Sequence, residues 1–137
     1  MKPFRELLWT VIFLMLLSFS YAQSPDAAYV DFLGYKYEVR HDQDGAEYGV
    51  CIFPDGSECH GFDFLRGTCG QKYSYCALKG CDTKSKKLSE NPNTAIATFC
   101  CCKDSTGTIN EIMLFDFMLQ NGDTLSIFKK KYHLKVH

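Results

Sequence analysis

The residues of this chain with the means to do chemistry are its eight cysteines and four histidines. The cysteines are Cys51, Cys59, Cys69, Cys76, Cys81, Cys100, Cys101 and Cys102. The stretch "YGVCIFPDGSECHGFDFLRGTC", Tyr48 to Cys69, sets three of them around a Pro-Asp-Gly turn. Such thiols would hold a metal, attack a substrate, exchange electrons or crosslink the fold. Structural zinc sites favour closely spaced cysteine pairs; Cys76-x4-Cys81 is the nearest approach, and no second pair matches it. A nucleophilic thiol needs a lowered pKa and a nearby base, and nothing in the spacing joins His41, His60, His133 or His137 to a particular cysteine. There is no Cys-x-x-Cys redox motif. The expectation is therefore no metal, no cofactor and no catalysis, with sulfur serving as crosslinks.

The N-terminus supports that chemistry. Lys2 and Arg5 precede an apolar run from Leu7 to Phe19, and Ser20-Tyr21-Ala22 ends it with small residues at the positions a signal peptidase reads. The run is shorter than the roughly 20 apolar residues of a membrane span. Residues 1–22 are expected to be a signal peptide cut after Ala22, leaving a secreted or periplasmic chain that keeps every cysteine. An even cysteine count in a small exported chain reads as a disulfide framework, with all eight as candidates and the connectivity open. In a strand, Cys100 and Cys102 would share one face and Cys101 the other. Neighbouring cysteines bridge each other only with strain, so this triplet is expected to be a hub of the framework. The sharper alternative leaves one of the three free and reactive.

The elements that must position these thiols follow from local pattern. Asp26 to Leu33 reads as a short helix, with Asp26 as N-cap and Gly34 as stop. In "YKYEVRH", Tyr35, Tyr37 and Val39 alternate with Lys36, Glu38 and Arg40, the period of a half-buried strand. "DQDGAE" turns the chain, and Tyr48 to Phe53 returns. Pro54, Asp55 and Gly56 fit a type I turn beginning at Phe53, and Ser57 follows it. They are also a candidate contact loop, stiff and flanked by cysteines as in a protease inhibitor. Ser57 is expected to cap a helix running to about Arg66.

The second half resembles a worn copy of the first. "YVDFLGY" aligns with "YCALKGC" at an offset of 46, Cys51 with Cys100 at 49, and "FDFL" with "FDFM" at 53. Loop insertion, for instance at Ser89–Thr94, would explain the drift. Residues 23–70 and 71–137 are thus expected to be related units, the second with a basic C-terminal tail. In the second, Ile109–Gln120 reads either as a helix opened by a Thr108–Glu111 capping box or as part of a hairpin about Asn121-Gly122.

Charge narrows the partners. Residues 23–66 carry nine acidic and three basic residues, whereas 67–137 carry six acidic and ten basic. The near balance gives no reason to expect nucleic acid. Lys129-Lys130-Lys131 would reach an anionic surface at most weakly, and Ile112 to Leu119 is far too short to span a membrane.

"EVRHDQDGAEYGVCIFPDGSECHGFDFLRGTC" resembles a small cysteine-rich domain family of bacterial envelope and secreted proteins, of unknown function and often labelled hemolysin. The match covers Asp26 to Cys69. Val30 stands where that family has its first cysteine, and Tyr35 replaces a glycine. The resemblance implies a location and a fold but no chemistry. The missing thiol in one half and the surplus in the other suggest bridges crossing between the halves. The expected protein is α+β, a disulfide-rich helix–β-hairpin–helix unit, duplicated along the chain. Its expected role is a non-catalytic binding module for an unknown protein or an envelope or membrane surface. Membrane attack and protease inhibition are the alternatives.

Overall fold

The computed structural model describes residues 23–128, together with Pro3. The rest of the expected signal peptide and the basic tail from Lys129 lie outside the described residues. Helix α1 (Pro25–Phe32) is followed by strands β1 (Lys36–His41), β2 (Glu47–Ile52) and β3 (Glu58–His60) and by helix α2 (Gly61–Leu65). After a 3-10 turn at Gln71–Tyr73 come α3 (Tyr75–Leu78), β4 (Asp82–Lys87), β5 (Ile96–Lys103), β6 (Ile109–Met113) and α4 (Leu114–Gln120). The strands form two antiparallel sheets, ordered β1-β2-β3 and β4-β5-β6. The architecture is α+β, as expected, with a third strand added to each hairpin.

That third strand corrects two expectations. Ser57 does not cap a helix. Its amide and hydroxyl both donate to Asp55 Oδ1, at 2.9 and 2.5 Å, and close the β2–β3 turn. Glu58–His60 then pairs with Val50–Ile52, and only from Gly61 does the chain coil. Ile109–Gln120 is likewise strand first and helix second. The Thr108 hydroxyl contacts Thr106 rather than capping a helix. Both ambiguous segments join a short strand to a short helix, so a single-period reading of either captures half of it. A third correction concerns α1. Its N-cap is Ser24, with Pro25 in the first turn and Asp26 inside the helix, an arrangement that suits proline because the first helical amide needs no partner.

The turns match expectation closely. Gly56 N–H donates to Phe53 O at 2.9 Å, the bond of the type I turn, and Gly45 closes the β1–β2 hairpin. Asp42 and Asp104 play the same part in their loops. The Asp42 carboxylate accepts from the amides of Asp44 and Ala46, and that of Asp104 from Thr106 and Thr108.

Local geometry repeats between the halves. Tyr35 N–H donates to Val30 O at 3.1 Å and Cys81 N–H to Cys76 O at 2.9 Å, and Gly34 and Gly80 just before them have φ of 77° and 79°. Tyr37 lies opposite Cys51, and Thr83 opposite Cys100.

One core draws on both halves. Tyr29, Val30, Cys51 and Phe64 are buried together with Tyr75, Cys76, Cys100, Leu114, Met118 and Leu125. Tyr29 is central. Its ring packs 5.2 Å from that of Phe64, and its hydroxyl accepts the Tyr75 amide at 2.9 Å. Tyr75 in turn donates to Asp123 at 2.5 Å, and Thr98 to Leu65 O at 2.6 Å. The Tyr29–Tyr75 and Thr98–Leu65 bonds join the halves without a covalent link. Burial raises the pKa of the Tyr29 hydroxyl above the ordinary phenol range.

Candidate functional site

Three disulfides form: Cys59–Cys69, Cys76–Cys100 and Cys81–Cys102. None crosses between residues 23–70 and 71–137, contrary to expectation. Cys100 and Cys102 share the inner face of β5 and reach α3 and the residue before β4, while Cys101 points to the other face. Cys51 and Cys101, expected among the bridged cysteines, are buried free thiols. The reason for Cys51 is local. Cys59 lies directly across from it but is bonded to Cys69, and the helix above carries Val30. For Cys101 the reason is strand alternation, which puts it on the face away from its bridged neighbours.

Neither thiol is poised as a nucleophile. Burial pushes the Cys51 thiol up to about 12. Cys101 is raised first by burial and then by Glu111, whose carboxylate lies 3.8 Å from its sulfur beside Lys84 and Lys86. A thiolate nucleophile needs the opposite shift. Under native conditions both thiols should resist iodoacetamide. After denaturation without reductant two should react, and mass spectrometry would count them. Alkylation of more than two would contradict the bridges.

The raised Cys51 pKa also sets an alkaline limit. The unfolded chain ionises this thiol from about pH 9, whereas the fold holds its proton to about 12, so the folded state binds more protons in between. Its stabilising contribution is complete below pH 9 and falls as pH rises through that window. Thermal melts from pH 7 to 11 should show the decline, and Cys51→Val should lessen it.

The candidate contact loop, Pro54, Asp55, Gly56 and Ser57, is an exposed tight turn. Besides Ser57, Asp55 pairs with Lys72 at 3.0 Å, and these hydrogen bonds hold its carboxyl well below the usual range. The loop is pinned to its own fold by the groups it would otherwise present.

Sequence reasoning missed the groove at the other end of the sheet. Its base is Asp26, only 1% exposed, whose Oδ2 accepts the Tyr37 hydroxyl at 2.8 Å. Two glycines make that pairing possible. A Cβ on Gly49 would overlap the Tyr37 hydroxyl, and one on Gly61 would overlap Asp26 Oδ2. Burial, and next the bond to Asp26, raise the Tyr37 pKa. Asp26 Oδ1 is buried and finds no hydrogen-bond donor among the described residues. Such orphaned polar atoms are rare in folded proteins, because desolvation goes uncompensated.

The groove above has a volume of about 870 Å³, within the range of ligand sites. Ala27, Val39 and Phe62 give it apolar walls, and Tyr48 stacks on His60 at 4.7 Å along another side. Val39 is 58% exposed, so the groove is open to solvent. Glu47 stands at the rim, paired with His41 at 3.2 Å, and among the described residues no lysine or arginine lines the groove. The legible signals were the Tyr37–Val39 alternation and a glycine at 49 on the returning strand. Among the described residues there is no cluster of metal-ligating side chains, and no helix is long and apolar enough to cross a membrane.

Comparison with known proteins places residues 23–68 in a match to the family described as Domain of unknown function (DUF333). That match covers α1, β1-β2-β3 and α2, and so contains the whole groove. An uncharacterized protein of Archaeoglobus fulgidus is 33% identical over 78 residues, which span 57% of this chain and 36% of that protein. The chain thus corresponds to about a third of the length of that relative. No solved structure matches the chain. Three disulfides in so small a fold suit an oxidising, extracytoplasmic environment.

Proposed function

We propose that this protein is a secreted or periplasmic, non-catalytic binding module whose recognition site is the groove over Asp26 and Tyr37. The observation that carries the reading is the buried Asp26 carboxylate, held by Tyr37 in a niche that two glycines keep open, with one oxygen left for a ligand. Buried, unactivated thiols favour binding over catalysis. Membrane attack and protease inhibition gain no comparable support, since the Pro54–Ser57 turn is occupied by intramolecular bonds.

The test is site-specific photo-crosslinking in the full-length protein expressed in its native compartment. A probe at Val39 should yield one discrete adduct, and a probe at the exposed Leu78 should not. Equal labelling from both positions would sink the reading, as would leakage of dye-loaded vesicles by purified protein. Export predicts that native material begins at Gln23; an intact mass that includes residues 1–22 would refute the cut.

We also infer that the halves derive from a duplicated unit. Shared strand order supports this, as do the matching helix-end bonds and the equivalent places of the Arg40–Glu58 and Lys86–Glu111 ion pairs across their sheets.

A further inference from the structure

The chemistry of the groove indicates what it binds. The inference rests on the module reading above and narrows it. We propose that the groove receives a lysine side chain of an extended peptide segment of a partner protein, its ammonium reaching Asp26.

Charge is the first argument. A carboxylate removed from water is stabilised by an opposite charge or by full hydrogen bonding. Among the described residues the Asp26 side chain has one hydrogen bond, from Tyr37, and no lysine or arginine lines the groove. An incoming cation supplies what the fold withholds. Geometry then selects among cations. An arginine fork uses both carboxylate oxygens in parallel, whereas an ammonium is a compact donor served by one. Oδ2 is engaged by Tyr37, so the oxygen left without a donor among the described residues is the buried Oδ1. That favours lysine over arginine.

The walls suit the rest of the side chain. Ala27, Val39 and Phe62 offer apolar surface for a four-carbon stem, and the Tyr48–His60 pair lines another side. The volume exceeds what one alkylammonium fills, leaving room for neighbouring peptide groups. β1, which carries both Tyr37 and Val39, is an edge strand. An extended peptide beside such an edge can place alternate side chains into an adjacent groove.

The experiment is a fluorescence-anisotropy titration of the purified, oxidised mature chain with labelled acetyl-Val-Lys-Val-amide and its glutamine and arginine counterparts. The lysine peptide should bind at least tenfold more tightly than the glutamine peptide and more tightly than the arginine one. Asp26→Asn should abolish that preference. Equal binding of lysine and glutamine peptides would overturn the proposal, as would tighter binding of arginine or an Asp26→Asn protein that still selects lysine. If n-butylamine alone binds as tightly as the lysine peptide, the site serves free amines and the peptide assignment falls. Should Asp26→Asn fail to fold, Val39→Lys at the exposed wall keeps the question answerable. It should weaken the lysine peptide at least tenfold, and unchanged affinity would overturn the proposal. A groove that crosslinks from Val39 but ignores lysine peptides would refute the ligand and leave the module. A groove that does neither would refute both.

Discussion

Replacing Val30 by cysteine is expected to create a fourth disulfide, to Cys51, and to stabilise the protein by about 3 kcal/mol. The second half displays the intended bond. Cys76 on α3 bridges Cys100 on β5, with the Cα atoms 5.1 Å apart and a sequence separation of 24. Val30 holds the corresponding place on α1, as its carbonyl accepts Tyr35 N–H just as that of Cys76 accepts Cys81 N–H. Both Val30 and Cys51 are completely buried in the same core. Valine and cysteine are close in volume, so little repacking is required. The gain comes from the unfolded ensemble, which loses the freedom of the intervening loop. Urea unfolding of oxidised Val30→Cys should show the gain, and reduction should remove it. Because the same bond leaves Cys51 without an ionisable proton, the alkaline decline above pH 9 should shrink as well. A variant in which residues 30 and 51 both remain alkylatable after denaturation would disprove the structural equivalence of the helices.

Gly49→Ala should do the most damage for its size, costing about 3 kcal/mol or more. The added methyl falls on the Tyr37 hydroxyl and ring edge. Tyr37 must move, and Asp26 then loses the one hydrogen bond its buried side chain has. Overpacking alone costs about 1–3 kcal/mol, and an unpaired buried carboxylate adds to it. Backbone strain plays no part, because Gly49 is not among the positive-φ glycines. The effect should therefore depend on Tyr37. Combined with Tyr37→Ala, Gly49→Ala should become nearly harmless, a coupling measurable in a double-mutant cycle. Additive losses, or a single-variant loss below about 0.5 kcal/mol, would show that the niche is looser than described.

Tight turns were legible because their causes are local. Pro54 sets φ, Gly56 tolerates a φ of 82°, and Asp42 bonds amides two and four residues ahead. The β1–β2 hairpin was legible because alternation and turn agree. Ser57–Arg66 was misread as helix throughout, and Ile109–Gln120 stayed open between helix and hairpin, because β3 and β6 are short strands whose pairing partners are supplied by other segments. Apolar spacing over so few residues fits either period.

Cysteine number and the type of residue at each position were sufficient to foresee a small crosslinked α+β protein, because oxidised sulfur and hairpin turns are specified over short stretches of chain. Which thiols meet was decided only in three dimensions, where strand alternation turns Cys101 away and Val30 leaves Cys51 without a partner. The groove belongs wholly to tertiary structure. Asp26, Tyr37, Gly49 and Gly61 are unremarkable apart, and become a site only when a helix start, two strands and a second helix converge on one buried carboxylate.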